Sequence, residues 1–155
     1  MAEKKLLEIT NLTQNIIDEN FFQEIASYVL EKEKKQGLIS LVLVGPGRIK
    51  KLNKQYRKKN RVTDVLSFPA ETEKVFFQGG DKNFLGEIVI CLRVVKKTSK
   101  RENIPFEEEL ARVFIHGILH ILGYDHFKPE EEKAMIAKQE KYLEEILKKV
   151  KWQDQ

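Results

Sequence analysis

The apolar residues follow two patterns along the chain: continuous runs typical of buried strands, and spacings of three or four residues typical of helices. The runs predict three strands and a weaker one near the N-terminus, at residues 38–44, 62–68, 85–92 and 6–12. Glycine or proline follows two of the runs, at Gly45 and at Pro69, as expected where a buried strand ends.

The segments between these strands carry apolar residues at helical spacing. They predict helices at residues 20–35, 48–56, 94–102 and 105–122, and a last helix from residue 129 onward. Gly37 is expected to be the left-handed residue after the first helix, and Gly123 the one after the fourth. This order of elements predicts an α+β fold, in which helices pack on a small, mixed, four-stranded sheet within one domain over residues 1–155.

The fourth helix is the most informative, because it is apolar on nearly every side. Only a narrow polar strip interrupts the apolar surface, and it holds Glu109, Arg112, His116 and His120. A helix of this kind is buried, so its two histidines are predicted to line the floor of a cleft. They are four residues apart and therefore lie on one face.

Two imidazoles at this spacing can reach one metal ion at about 2.0–2.1 Å. Gly123 permits a sharp turn after the helix, and His126 can then return as a third ligand, so that the helix carries an HxxxHxxxxxH motif. Three ligands leave one position of a tetrahedral zinc ion open, which is typical of catalytic sites. The residues predict one Zn²⁺ per chain, although three imidazoles also bind other divalent transition metals. The alternative is that these histidines are hydrogen-bonded core residues.

The spacing matches the long zincin motif H-E-x-x-H-x-x-G-x-x-H, with one exception. Gly117 stands where that motif has its general-base glutamate, which argues against ordinary proteolysis. Asp125 is the nearest carboxylate in the sequence. It could act as a base, orient a ligand histidine or cap the turn, and the sequence leaves these roles open.

Composition and charge narrow the class of protein. No apolar run approaches the roughly 20 residues of a membrane-spanning helix, and the N-terminus lacks the apolar region of a secretory signal. Cys91 is the single cysteine, so a cytoplasmic location is expected. The net charge is +4, but eight of the fourteen residues 48–61 and five of the nine residues 93–101 are basic. Such stretches can attract a polyanion, or they can simply solvate helix faces.

Three blocks of sequence resemble the YbeY family, the bacterial metal-dependent endoribonucleases of ribosomal RNA maturation. The first is HGILHILGYDH at residues 116–126; the others are LNxxYR at 52–57 with TDVLSFP at 63–69, and LGEIVI at 85–90. The resemblance implies a zinc-dependent, single-strand-specific endoribonuclease that acts in 16S rRNA 3′-end maturation and in ribosome quality control, with the small ribosomal subunit as a partner. It also implies that His116, His120 and His126 bind the metal and that Arg57 is functionally important. Glu87 stands where many members carry aspartate.

This resemblance gives the basic stretch a second interpretation. A guanidinium can contact phosphate oxygens in bidentate fashion, so Arg57 could stabilise the transition state of phosphodiester cleavage. Four neighbouring basic residues are candidates for contacts with a single RNA strand: Lys54, Lys58, Lys59 and Arg61. Alternatively, Arg57 pairs with an acid such as Asp64. Two other functions also stay open, a non-catalytic ribosome-assembly factor stabilised by zinc and a metallohydrolase of another bond.

Overall fold

The computed structural model describes residues 5–71, 83–124 and 128–149. Within these ranges, strands and helices follow one another in the predicted order, and the α+β class is confirmed. The elements are β1 (Leu7–Asn11), α1 (Glu19–Lys32), β2 (Leu38–Val44), α2 (Pro46–Arg57), β3 (Val65–Pro69), β4 (Phe84–Cys91), α3 (Leu92–Glu102), α4 (Phe106–Ile121) and α5 (Pro129–Lys149).

The sheet is mixed and has the strand order β1-β2-β4-β3. β1, β2 and β4 are parallel, whereas β3 is antiparallel to β4 and forms one edge. Every residue of β2 is buried, as is typical of a strand whose two faces are both covered. The four-stranded mixed sheet predicted from the sequence is therefore confirmed.

Side chains alternate between the two faces of the sheet and divide the interior into two cores. Ile88 and Ile90 of β4 belong to the larger core, together with residues of α1, α4 and α5. Val89 and Cys91 of the same strand belong to a smaller core beneath α2. α4 lies in the middle of the larger core and contacts the sheet, α1, α3 and α5, so the predicted burial of this helix is confirmed.

The predicted end of the first helix is wrong. α1 ends at Lys32, and Lys34 adopts the left-handed conformation that the sequence had suggested for Gly37. The helix closes in a local turn: the amide of Lys35 donates to the carbonyl oxygen of Leu30 at 2.9 Å, and that of Lys34 to the carbonyl oxygen of Glu31 at 3.1 Å. Gly37 allows the backbone to lie close to that of Asn83, because a Cβ atom at residue 37 would be 2.2 Å from the carbonyl oxygen of Asn83.

Three other boundaries differ by a few residues. α2 begins at Pro46, since proline suits the first turn of a helix. β3 begins at Val65, which pairs with Ile90, because its partner β4 ends one residue later at Cys91. α3 follows β4 without a break and begins at Leu92. Among the described residues, no helix is long and apolar enough to cross a membrane.

A cluster around Glu33 joins α1, α5 and the turn after α4. The Glu33 carboxylate accepts hydrogen bonds from the hydroxyls of Tyr124, at 2.8 Å, and Tyr142, and Lys138 Nζ lies 3.1 Å away. Burial alone would raise the pKa of Glu33, but these three partners outweigh burial and hold the pKa below its ordinary value. Burial and the bond to Glu33 also raise the pKa of Tyr142 to about 12. The cluster therefore links α1, α5 and the turn after α4 through hydrogen bonds and an ion pair.

We expect Glu33→Gln to lower the free energy of unfolding by about 1.5–3 kcal/mol near neutral pH, because three donors lose a charged acceptor. The folded pKa of Glu33 lies below its ordinary value of 4.5, so the carboxylate stabilises the fold above that value. This contribution is lost as the pH falls through the lowered pKa. Urea denaturation followed by circular dichroism over a pH series should show the two proteins converging in acid. Glu31→Gln, on an exposed position of the same helix, is the matched control. A difference that is constant from neutral to acidic pH would contradict the assignment.

Candidate metal and nucleic-acid site

His116 and His120 lie together on the C-terminal half of α4. Both are half-buried, and their ring centroids are 4.6 Å apart with an interplanar angle of 70°. The helix itself contacts both β3 and α5. The expectation that the two rings share one partly covered face is therefore met.

The imidazole of His116 is fixed by a residue of α5. Its Nδ1 lies 2.7 Å from Oε1 of Gln139. Gln139 is buried, with 7% of its surface exposed. Gln139 was not predicted from the sequence, although a signal was present. The buried stripe of α5 is apolar or aromatic at its other positions, which are Met135, Tyr142, Leu143 and Ile146. A polar residue in such a stripe indicates a buried polar partner.

The donor chemistry of this face fits a divalent transition metal. Two rings that bind one ion at about 2.0–2.1 Å lie with their centroids roughly 5 Å apart, and His116 and His120 meet this condition. Within residues 5–71, 83–124 and 128–149, no group of three or more histidine, cysteine or acidic side chains could hold a metal. The predicted third ligand His126 and the candidate base Asp125 lie outside the described residues, and their roles stay predictions. Gly123 has the positive φ, +106°, expected for the turn that leads to them.

Gly117 faces the sheet. A Cβ atom at this position would lie 2.8 Å from Cγ2 of Ile88 in β4, closer than such contacts allow. The space that a side chain at residue 117 would enter is thus occupied by the side chain of Ile88. Gly117 reflects close packing between helix and strand, and a general base could occupy this position only if Ile88 or α4 moved.

Arg57, at the end of α2, reaches the edge strand β3. Its Nη2 donates a hydrogen bond of 2.8 Å to the carbonyl oxygen of Ser67, and its Nη1 donates one of 3.0 Å to that of Tyr56. The guanidinium also lies 4.5 Å from the ring centroid of Phe68. The hydroxyl of Ser67 donates a longer bond of 3.5 Å to the carbonyl oxygen of Gly117. One residue of β3 therefore connects Arg57 to the turn of α4 that carries the histidines.

The basic candidates surround the C-terminal end of α2. Lys54, Lys58, Lys59 and Arg61 are all exposed. Buried Asn53 holds the following loop against the helix, since its Nδ2 donates to the carbonyl of Arg61 at 3.0 Å and its own carbonyl accepts from the amide of Lys59 at 3.2 Å. The negative end of the helix dipole also favours cations here. The structure thus brings the four candidates close to Arg57 in one basic surface.

Comparison with known proteins identifies the chain. The family model of Endoribonuclease YbeY matches residues 8–147. The chain belongs to the YbeY family. Curated relatives named Endoribonuclease YbeY include one from Carboxydothermus hydrogenoformans, 38% identical over 89% of this chain and 95% of the relative. Another, from Thermotoga maritima, is 41% identical over 76% of this chain and 73% of the relative. A solution structure of a Thermotoga maritima protein is also similar, with a TM-score of 0.65, 34% identity, and coverage of 93% of this chain and 91% of that one.

Membership in the YbeY family supports an RNA-cleaving role for this chain. The resemblance had also drawn attention to Glu87. Glu87 is fully buried in β4, and its side chain alternates with that of Ile88. It therefore faces the smaller core, where Oγ of Ser40 donates a bond of 3.5 Å to its carboxylate. Glu87 lies on the face of the sheet opposite to the histidines.

We expect Gly117→Ala to lower the free energy of unfolding by about 1–3 kcal/mol, because the added methyl group overlaps Cγ2 of Ile88. The same substitution in an Ile88→Ala background should be markedly less damaging, since the overlapping atoms are gone. Urea denaturation of the four proteins forms a double-mutant cycle. Additive effects of the two changes would contradict direct contact between residues 117 and 88.

Proposed function

We propose that this chain is a metal-dependent endoribonuclease that cleaves single-stranded RNA. In this proposal, His116, His120 and His126 hold one divalent metal, with Zn²⁺ as the first candidate. The observation that carries it is the pair of half-buried imidazoles with ring centroids 4.6 Å apart, one β3 residue away from a held arginine. Family membership supplies the RNA-cleaving class, and the chemistry of the two rings supports the metal.

The metal would supply Lewis acidity and would activate water for attack on a phosphodiester. The two carbonyls and the ring of Phe68 hold Arg57 in one orientation, so its planar fork would meet phosphate oxygens without first losing rotational freedom. Asp125 is proposed to accept a proton or to orient a ligand histidine. In this proposal, Arg57 stabilises negative charge on the phosphate oxygens, and the segment after Gly123 provides the group that transfers a proton.

The basic surface around the end of α2 is proposed to bind the RNA backbone. Its members Lys54, Lys58, Lys59 and Arg61 would contact successive phosphates on the path to Arg57. The proposed natural substrate is the 3′ end of 16S rRNA, cleaved in the cytoplasm during maturation and quality control of the small ribosomal subunit. The three sequence blocks shared with the family support this assignment.

Removal of the metal or of one ligand tests the enzymatic proposal. We expect chelation, and separately His116→Ala, to lower the rate of cleavage of a single-stranded RNA by at least about 100-fold, and Arg57→Lys by on the order of 10- to 100-fold. Cleavage is measured on a labelled oligonucleotide with defined Zn²⁺, and circular dichroism checks that each variant folds. Lys148→Ala, on the exposed end of α5, is the control. Cleavage that survives both chelation and His116→Ala would refute the proposal. Ribosome binding by a metal-loaded wild type that cleaves nothing would favour the assembly factor instead.

The RNA path is tested by two sets of substitutions that remove equal charge. We expect replacement of Lys54, Lys58, Lys59 and Arg61 by glutamine to weaken binding of a single strand and to reduce the slope of log K against log salt by up to about 3, since each lost contact contributes roughly 0.7. The control set replaces four exposed basic residues of α3 by glutamine: Arg93, Lys96, Lys97 and Lys100. Both slopes are measured by fluorescence anisotropy of a labelled single strand, with protein from which metal has been removed by a chelator. Equal losses from the two sets would show a net-charge effect and contradict a path at α2.

A further inference from the structure

A chain of polar contacts runs from Arg112 through α5 to His116. Arg112 donates from Nε to Oε2 of Glu140 at 2.9 Å and from Nη2 to Oε1 of the same carboxylate at 3.3 Å. Nε2 of Gln139 donates to Oε2 of Glu140 at 3.0 Å. Oε1 of Gln139 then lies 2.7 Å from Nδ1 of His116. Four side chains from two helices thus form one continuous relay.

The relay determines which way the amide of Gln139 faces. A carboxylate only accepts hydrogen bonds, so the atom of Gln139 that faces Glu140 must be the NH₂ group. Burial alone would raise the pKa of Glu140, but the bonds from Arg112 and Gln139 outweigh it and hold the pKa below its ordinary value. The carboxylate is therefore ionised at neutral pH, and rotation of the amide would place two oxygens against each other.

Arg112 is itself held in place from both sides. Its Nη1 donates to Oε1 of Glu109 at 2.6 Å, and its Nη2 lies 3.4 Å from Oε2 of Glu108. These acids precede it by one turn on α4, and His116 follows it by one turn. The arginine is consequently a fixed point on the same helix as the histidine, and it orients Glu140 on the neighbouring helix.

The amide orientation in turn assigns the proton on His116. An amide oxygen is an acceptor, so Nδ1 of His116 must carry the hydrogen, and the lone pair of the neutral ring is then on Nε2. We propose that Gln139 is a positioning residue for the metal: it holds His116 as the Nδ1–H tautomer and directs Nε2 to the ion. This inference rests on the proposed metal site and deepens it, since it names the ligating atom and the groups that fix it.

The first test determines the tautomer of His116 directly, in wild-type protein from which metal has been removed. Long-range ¹H–¹⁵N correlation spectra, recorded where the imidazole is neutral, distinguish a protonated from an unprotonated ring nitrogen. We expect a protonated Nδ1 and an unprotonated Nε2 for His116, and loss of this preference in Gln139→Leu. A protonated Nε2 in the wild type would overturn the inference without any reference to metal or activity.

The second test measures Zn²⁺ affinity by competition with a chromophoric chelator. We expect Gln139→Leu to weaken binding about 10- to 100-fold, as is typical when the partner of a ligand histidine is lost. The paired exchange Gln139→Glu with Glu140→Gln keeps an acceptor at His116 and the same net charge, so it should restore affinity to within a few-fold of the wild type. Met135→Leu, a volume-conserving change on the same buried face of α5, controls for packing.

The outcomes separate this inference from the function on which it rests. Unchanged Zn²⁺ affinity in Gln139→Leu, in a protein whose wild type binds one ion, would refute the role of Gln139 and leave the enzyme intact. A wild type that binds no ion would refute the proposed metal site, while the tautomer measurement would still decide what Gln139 does. If Gln139→Leu fails to fold, the paired exchange and the wild-type spectra decide the question.

Discussion

The contact between Gly117 and Ile88 determines how deeply α4 lies on the sheet. With no side chain at residue 117, the helix approaches β4 so closely that an added Cβ would be 2.8 Å from the isoleucine. The larger core then covers the apolar sides of α4, and beyond its first turn only the strip with Arg112 and the two histidines stays partly accessible. A helix held farther out would place these rings away from both β3 and α5. The glycine that makes the chain differ from zincins is thus the residue that positions its histidines.

The order of the strands brings the second half of the site to the first. Because β3 turns back antiparallel at the edge beside β4, it lies next to α4 and also near the end of α2. Ser67 of β3 accepts a bond from Arg57 through its carbonyl and donates one to Gly117 through its hydroxyl. Two segments about sixty residues apart in sequence meet at this one residue.

Local sequence predicted most of the fold, because the patterns that define strands and helices are local. The order of elements, the mixed sheet, the buried α4 and the shared face of His116 and His120 all followed from periodicity and spacing. The contacts of Glu33 did not, because its partners Tyr124, Lys138 and Tyr142 lie about a hundred residues later in the sequence. Gln139 was missed for the same reason. Its partner His116 is on another helix, and only the packing of α5 on α4 brings them together.

The tie between Glu33 and Tyr124 has a consequence for how such a site can be transferred. Tyr124 precedes the predicted ligand His126 by two residues, and its hydroxyl is held by a carboxylate at the end of α1. A designer who grafted residues 116–126 onto another scaffold would copy the spacing of the histidines without the groups that fix it. The motif is short in sequence, but the partners of its residues His116 and Tyr124 lie on α5 and at the end of α1, so a grafted segment would need both.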